Sequence, residues 1–372
     1  MVCLSEEIET PGEGQIRALI TVCGNPVLST PNGARLRRAL ETLDFMVSVD
    51  IYLNETTRHA DVILPGTSPL EQPHYPLAFT QLSVRNFARY TPAVFEVPEG
   101  QMAEWRILLR LAAIVSGQGP EADLDAFDDL VFEQLLDRAI ANPASPIAGR
   151  DADDIRRQVS RYRGPERLLD LQLRTGPYGD AFGARPDGLD LATLAASEHA
   201  ADLGPLEPRL PGVLRTPSGR IELAPELLVT DLDRVRSRLG EDVENLVLVG
   251  RRDLRSNNSW MHNIPQLVSG RERCTLHVHP EDARKLGLAD GATARVSSRA
   301  GSVEAPVQVT DAVMPGVASL PHGWGHDDPG TRLGVASAHA GVSSNDLADE
   351  SLVDAHSGNA VLNGIPITVE AV

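Results

Sequence analysis

Between Arg17 and Pro65 the chain alternates short apolar runs with short helical stretches, and polar residues fall where each run ends. The order reads strand, turn, helix, strand, helix, strand. This pattern constrains the fold more than any other stretch, because short strands joined by single helices imply parallel neighbours with right-handed crossovers. Arg17–Cys23 reads as the first strand, followed by a tight turn of Gly24, Asn25 and Pro26. Asn32 is placed to cap a helix running to about Leu43, with Leu36, Leu40 and Leu43 on one face. Phe45–Tyr52 is the second strand and holds Asp50 near its end; Asn54 caps a short helix with Glu55 in its first turn; Asp61–Pro65 closes the run as a third strand. In an open parallel sheet ligands gather where the strand carboxyl ends meet the following loops. The run therefore reads as half of a nucleotide site.

Beyond about residue 101 the pattern turns helical. MAEWRILLRLAAIVSG spaces Trp105, Leu108, Leu109 and Ala112 as one helix does, and ADLDAFDDLVFEQLLDRAIA is a second amphipathic helix ended by Asn142-Pro143. Residues 151–175 predict weaker helices, residues 176–215 an extended Gly- and Pro-rich connection, and LRTPSGRIELAP a hairpin across Pro217-Ser218-Gly219. A charged helix, DLDRVRSRLGED, leads to a boundary near residue 243. From Asn245 onward strands are expected at Leu246–Val249, Thr275–Val278, Ala292–Ser297, Val303–Thr310 and Val317–Leu320, with a short helix opening at Pro280. Short crossing strands of this kind suggest a compact barrel rather than a sandwich.

Three groups of residues bear on chemistry. Asp50, a carboxylate at a strand end, can accept two parallel hydrogen bonds from a guanine edge or a ribose diol, or can cap the helix that follows. Gly24 permits close backbone approach to a phosphate, while the absence of GxGxxG argues against ordinary dinucleotide binding of the nicotinamide kind. The second group is GRRDLRSNNSWMHNIP, residues 250–265. Arg251, Arg252 and Arg255 can pair with phosphates, and Ser256, Asn257, Asn258 and Ser259 offer donors and acceptors suited to a heterocycle. A solvated loop is the alternative; the flanking arginines and Trp260 favour ligand contact. The third is SLPHGWGH, where a glycine-rich loop folded on a ligand or another loop is preferred to a metal pair of His322 and His326, since no third ligand stands at useful spacing. Asn345 is either a turn cap or an amide reading a heterocycle. His59 reads as a helix-surface residue, and no HExxH, phosphate-binding loop or nucleophile elbow is present.

The composition narrows the class. At 372 residues the chain is long enough for two or three domains, and 42% hydrophobic with 23% charged residues is that of an ordinary globular protein. A formal charge of −18 argues against nucleic acid or an anionic membrane as partner, though not against an anionic cofactor met by local arginines. Cys3, Cys23 and Cys274 form no metal-ligand spacing, so no iron–sulfur cluster or zinc site is expected; Cys23 and Cys274 read as buried thiols in apolar strands. No apolar run reaches membrane-spanning length and no signal pattern opens the chain, so a soluble, cytoplasmic protein is expected.

Two blocks of sequence resemble the molybdopterin oxidoreductases that carry molybdopterin guanine dinucleotide, the family of formate dehydrogenases, nitrate reductases and dimethyl sulfoxide reductase. One is GNP followed by SVDIYLNETTRHADVILP; the other begins at LVLVGRRDLRSNNSWMHN and continues through HPEDARKLGLADGATARVSSRAGSVEAPVQVTDAVMPGVASLPHGWGH, VSSND and SGNAVLNGIPITVE. The resemblance implies a Rossmann-like α/β parallel-sheet domain at 1–100, a mostly helical α+β segment at 101–242 that helps complete a second α/β region, and a six-stranded double-psi-type β-barrel at 243–372. It implies Gly24, Asn25 and Pro26 near phosphate or ribose and Asp50 on guanine, with Thr57 and Asp61 in the same motif. In the barrel it implies contacts from Arg251, Arg252, Ser256, Asn257, Asn258, Ser259, His262, His322, Trp324 and Asn345. Molybdenum or tungsten would be held through the pterin dithiolenes, with no metal ligand from this chain.

Members of the family open with a domain that often carries an iron–sulfur cluster, and then supply a cysteine, selenocysteine or serine to the metal; the sequence departs from that pattern. It reads as the C-terminal, cofactor-binding portion of a formate dehydrogenase-like oxidoreductase, enzymatic when complemented by a separate chain. The alternatives are a non-catalytic molybdopterin-binding or assembly subunit, or an inactive truncated product.

Overall fold

The computed structural model describes residues 2–239 and 246–372. They form two compact units, one built from residues 1–65 together with 230–372, the other from 66–229. The expected boundary at 242/243 and the last residues of the charged helix lie outside the described residues.

In the first unit, β1 (Ala18–Val22), β2 (Phe45–Val49) and β3 (Val62–Leu64) form a parallel sheet in that order, with Ile20 opposite Val47 and Val47 opposite Val62. Two helices lie against it: α1 (Leu4–Glu9), which the sequence reading lacks, and, after the single turn α2 (Pro26–Ser29), α3 (Gly33–Leu40). Asn32 caps α3 by accepting the Arg35 N–H at 3.1 Å. Leu4, Ile8, Val27, Leu36, Ala39, Leu40 and Met46 make the core between helices and sheet. The other face is more open, for Ile20, Val22, Phe45 and Val62 are all exposed.

The same unit contains a closed barrel. With β4 (Arg85–Ala88) and β5 (Ala201–Pro205) in the second unit, its strands are β6 (Leu246–Arg251), β7 (Leu276–Val278), β8 (Thr293–Ser297), β9 (Ser302–Val309), β10 (Val317–Pro321) and β11 (Asn363–Ala371). They close in the order β10, β6, β11, β8, β9, β7, with β10/β6 and β7/β9 parallel and the other pairs antiparallel. Alternating inward residues fill the interior: Leu276 and Val278, Ala294 and Val296, Ala305 and Val307, Ala318 and Leu320, Ile365, Ile367 and Val369 are all buried, and in β10 the intervening Ser319 is buried too. Small alanines beside branched residues fill a narrow barrel whose inward positions recur with a period of two. Five strands lie where the sequence predicts them; β11 is not among the strands expected from residue pattern.

The second unit holds α4 (Glu104–Val115), α5 (Leu124–Ala141), α6 (Ala152–Val159) and α7 (Gly164–Thr175), with β4 (Arg85–Ala88) antiparallel to β5 (Ala201–Pro205). Asp123 and Asp151 cap α5 and α6 through backbone N–H groups. Phe132, Leu136, Ile147, Ile155, Val159 and Leu171 form its core. Two expectations are corrected. The hairpin over residues 214–225 is absent: Thr216 Oγ1 donates to the Arg220 carbonyl and Gly219 N–H to the Thr216 carbonyl, a local turn without paired strands. Cys23 is exposed, because β1 ends at Val22 and Cys23 turns into the left-handed region at φ 49°; Cys274 is buried as expected.

Candidate functional site

The turn after β1 is built to reach across the first unit. Pro26 starts α2, yet the Asn25 side chain does not cap it. Its Nδ2 donates to Glu55 Oε2 at 2.7 Å, and its Oδ1 accepts from Thr56 Oγ1 at 2.7 Å. The Thr56 hydroxyl oxygen in turn accepts the Val27 N–H at 3.0 Å. Gly24 lies beside this turn in open surroundings, since a methyl group there would meet the Val22 carbonyl only at 3.7 Å.

Asp50, Thr57 and Asp61 serve local geometry. The Tyr52 N–H donates to Asp50 Oδ1 at 2.8 Å and Asn54 Nδ2 to its Oδ2 at 3.3 Å. This is the carboxylate-on-its-own-turn arrangement that Asp favours. Thr57 is fully buried: its hydroxyl donates to the Tyr52 carbonyl and accepts the Asn54 N–H. Asp61 accepts the Met46 N–H at 2.7 Å, tying β3 to the start of β2.

The barrel contributes two loops. At the end of β6, Arg251 uses its guanidinium on the carbonyls of Ser319, Arg273 and Thr275 and on the Thr275 hydroxyl. Burial pushes its pKa down to about 10. Arg252 is exposed and donates to Asn258 Oδ1 at 2.6 Å. Asn257 and Asn258 are also exposed and both adopt positive φ, 42° and 60°, conformations that asparagine tolerates better than most residues. Ser259, half-buried, leads into the turn Trp260–Asn263. Ser256 and His262 point inward instead and are buried.

The second loop, after β10, packs against the first. Gly323 has φ +93°, and a Cβ there would lie 2.0 Å from the Asn258 carbonyl oxygen, so only glycine allows this approach. Trp324 stacks on His262 with ring centres 3.9 Å apart and an interplanar angle of 27°. Its indole Nε1 is buried with no hydrogen-bond partner among the described residues. His322 is half-buried, with Nδ1 3.5 Å from Asn345 Nδ2; burial lowers its pKa. Asn345 itself is buried and donates to the Leu28 carbonyl at 2.6 Å, while its own carbonyl accepts the Asn32 N–H.

One continuous hydrogen-bonded chain joins these parts. Ser256 Oγ lies 2.8 Å from His262 Nε2; His262 Nδ1 lies 2.9 Å from His326 Nε2; His326 Nδ1 lies 2.8 Å from Glu55 Oε1; and Glu55 Oε2 receives Asn25. Glu55, His326 and His262 are at most 1% exposed, so water cannot stand in for any partner. Burial alone would raise the Glu55 carboxyl; the His326 and Asn25 hydrogen bonds outweigh it and hold the group below its ordinary range. Burial, reinforced by the neighbouring His326, pushes His262 down to about 4.

Of the residues singled out from sequence, the structure gathers Asn25, Ser256 and His262 into this chain, with Trp324 stacked against it. It places Arg252, Asn257, Asn258 and Ser259 on the adjoining loop. His322 and Asn345 approach one another, whereas Asp50 and Thr57 bond to the turn that follows β2 and Asp61 bonds to the start of β2. Glu55 and His326 are the members that sequence reasoning assigned elsewhere, one to a helix start and the other to a rejected metal pair. Among the described residues, no three His, Cys, Asp or Glu side chains cluster to hold a metal.

The chain matches two family models: "Molybdopterin oxidoreductase" over residues 2–113 and "Molydopterin dinucleotide binding domain" over residues 246–366. It is 32% identical over 130 residues to the assimilatory nitrate reductase catalytic subunit of Bacillus subtilis, covering 35% of this chain and 17% of that protein. It is 25% identical over 313 residues to the F420-dependent formate dehydrogenase 2 subunit alpha of Methanococcus maripaludis, covering 84% of this chain and 39% of that protein. Among solved structures, acetylene hydratase from Pelobacter acetylenicus shares the fold, with a TM-score of 0.58 at 18% identity over 99% of this chain and 46% of that one. The chain thus spans less than half the length of each of these proteins.

Proposed function

Because this chain belongs to the molybdopterin oxidoreductase family, we propose that it is the C-terminal, cofactor-holding portion of a formate dehydrogenase-like enzyme that binds molybdopterin guanine dinucleotide. The observation that carries this reading is the joining of the Asn25 turn and the Ser256–Ser259 loop within one unit, through Glu55 and His326. A dinucleotide needs two separated polar grips, and these are two loops at the ends of strands held in fixed relation.

The donor set fits such a ligand. Arg252, Asn257 and Asn258 are exposed and offer a guanidinium and two amides, groups that match phosphate oxygens and the amide-like edges of a pterin or guanine. Trp324 Nε1 is a buried donor without a partner among the described residues. Arg251 would act by holding the loop's base, its guanidinium being bonded to barrel carbonyls. Gly24 leaves open space for a group beside the Asn25 turn. When bound, the cofactor supplies a redox-active molybdenum or tungsten through its dithiolenes; the residues of this chain bind and orient it.

In this reading the parallel sheet is a Rossmann-like layer and the barrel is of double-psi type. The division at 1–100, 101–242 and 243–372 follows the sequence order of sheet, helical segment and barrel. A separate chain supplies the metal ligand, and the assembly is cytoplasmic; no described helix is long and apolar enough to cross a membrane.

The test is cofactor retention. The chain, produced in cells that make the cofactor, is expected to release a pterin that oxidises to a fluorescent product, together with guanine nucleotide. In the Arg252→Ala/Asn258→Ala double variant retention is expected to fall about tenfold, the loss of one or two charge-assisted hydrogen bonds. A folded wild-type chain without pterin would overturn the proposal.

A further inference from the structure

The chain of hydrogen bonds through Glu55 has a direction, and the direction follows from which atoms can donate. An ionised carboxylate only accepts. His326 Nδ1, 2.8 Å from Glu55 Oε1, must therefore carry a hydrogen. When both rings are neutral, each with one hydrogen, His326 Nε2 is an acceptor, and the hydrogen in its 2.9 Å contact belongs to His262 Nδ1. His262 Nε2 is then an acceptor in turn, so the Ser256 hydroxyl donates to it at 2.8 Å. On the other arm Asn25 Nδ2 donates to Glu55 Oε2, its Oδ1 accepts from the Thr56 hydroxyl, and that oxygen accepts the Val27 N–H. Every donor on both arms points toward Glu55.

We propose that Glu55 and His326 are positioning residues for the cofactor site: the carboxylate sets the tautomers of His326 and His262, and thereby the orientation of the Ser256 hydroxyl and the Asn25 amide. This rests on the reading that the Asn25 turn and the Ser256–Ser259 loop face the dinucleotide. The arrangement needs more than burial. His262 cannot rotate freely, because Trp324 stacks on one face of its ring. His326 is delivered by a loop whose glycines, Gly323 and Gly325, have positive φ and sit where a Cβ would approach other atoms to 2.0 and 2.9 Å. The two arms join segments 271 residues apart at a carboxylate that is fully buried. A carboxylate shared by an amide and an imidazole in a dry site fixes both, since each unmade bond there costs its full desolvation.

The test reads tautomers directly, on the full chain labelled with nitrogen-15 in its histidines and asparagines, at neutral pH. Both His262 and His326 are expected as Nδ1–H imidazoles. Glu55→Gln offers one carbonyl where two acceptors are needed, so one arm must reverse: either both rings change together to Nε2–H, or the Asn25 amide turns over and its NH2 resonances move. Either histidine in another form in the wild type, one ring switching alone, or neither arm changing in Glu55→Gln overturns the relay. Guanosine diphosphate serves as the binding probe, with circular dichroism confirming that both proteins are folded. Its affinity is expected to fall about tenfold in Glu55→Gln, as for loss of a supporting hydrogen-bond network; an unchanged affinity overturns the positioning role. Wild type that fails to bind the probe while showing the stated tautomers overturns the cofactor reading and the positioning role with it. Other tautomers with the probe bound overturn the relay alone.

Discussion

Arg251 and Arg252 are neighbours in sequence with opposite fates. Arg251 ends β6 and its guanidinium reaches the carbonyls of Ser319, Arg273 and Thr275, while Arg252, the first residue beyond the strand, stays exposed beside Asn258. Residue type announced both as anion partners; only the carbonyls that tertiary structure brings to Arg251 separate them. His262 shows the same limit, since nothing in its local sequence says that its partner is His326. Its depressed pKa has a measurable consequence. Burial and His326 hold it near 4 in the fold, with Arg273 acting in the same sense and Asp253 against it, whereas the unfolded chain takes the proton near 6.5. Between those values the unfolded state binds more protons, so stability must fall as pH falls. Glu55 adds to the loss lower down, as pH drops through its lowered folded value. The His262 contribution is about 3 kcal/mol when complete. Urea unfolding at neutral pH and again at mildly acidic pH should therefore show a smaller difference for His262→Gln than for wild type, and an equal difference would contradict the assignment.

Elements were readable where one local rule sufficed. The barrel strands show a period of two with Val, Leu and Ala inward, and α3 carries its asparagine cap, so both were legible. The supposed hairpin at 214–225 failed because a Pro-Ser-Gly turn closes on itself without strands to pair. β11 is not among the expected strands although Ile365, Ile367 and Val369 repeat with the same period of two; Pro366 inside the run counts against a strand read locally. The contact of the two barrel loops yields a sharper test. Gly323→Ala sets a Cβ against the Asn258 carbonyl and should cost about 2 kcal/mol or more. Gly316→Ala, also at positive φ but facing open space, should cost about 1 kcal/mol. Thermal unfolding of the two variants would separate them; equal losses would mean that the loops do not rest on one another.

At the scale of the whole chain, the first unit is assembled from the two ends of the sequence. The Asn32 N–H donates to the Asn345 carbonyl, the Arg332 N–H to the Leu53 carbonyl, Arg35 pairs with Glu350 and Arg37 with Asp328. These ties, with the Glu55–His326 bond, make sheet and barrel one cooperative body. Hydrogen exchange should accordingly show the amides of Asn32 and Arg332 exchanging at the same opening free energy as those of the barrel strands. Release of the sheet's amides at a clearly lower free energy would show the two as separate bodies.

By itself the sequence determined the three strands of the sheet, five strands of the barrel and the longer helices, because hydrophobic period and caps act over a few residues, and it carries the two blocks that match family models. The tertiary structure alone decided which polar residues work together. Glu55 meets His326 across 271 residues, and Arg251 is turned from a candidate anion partner into a brace. Hydrogen bonding and burial act through space, and the distance along the chain carries no record of them.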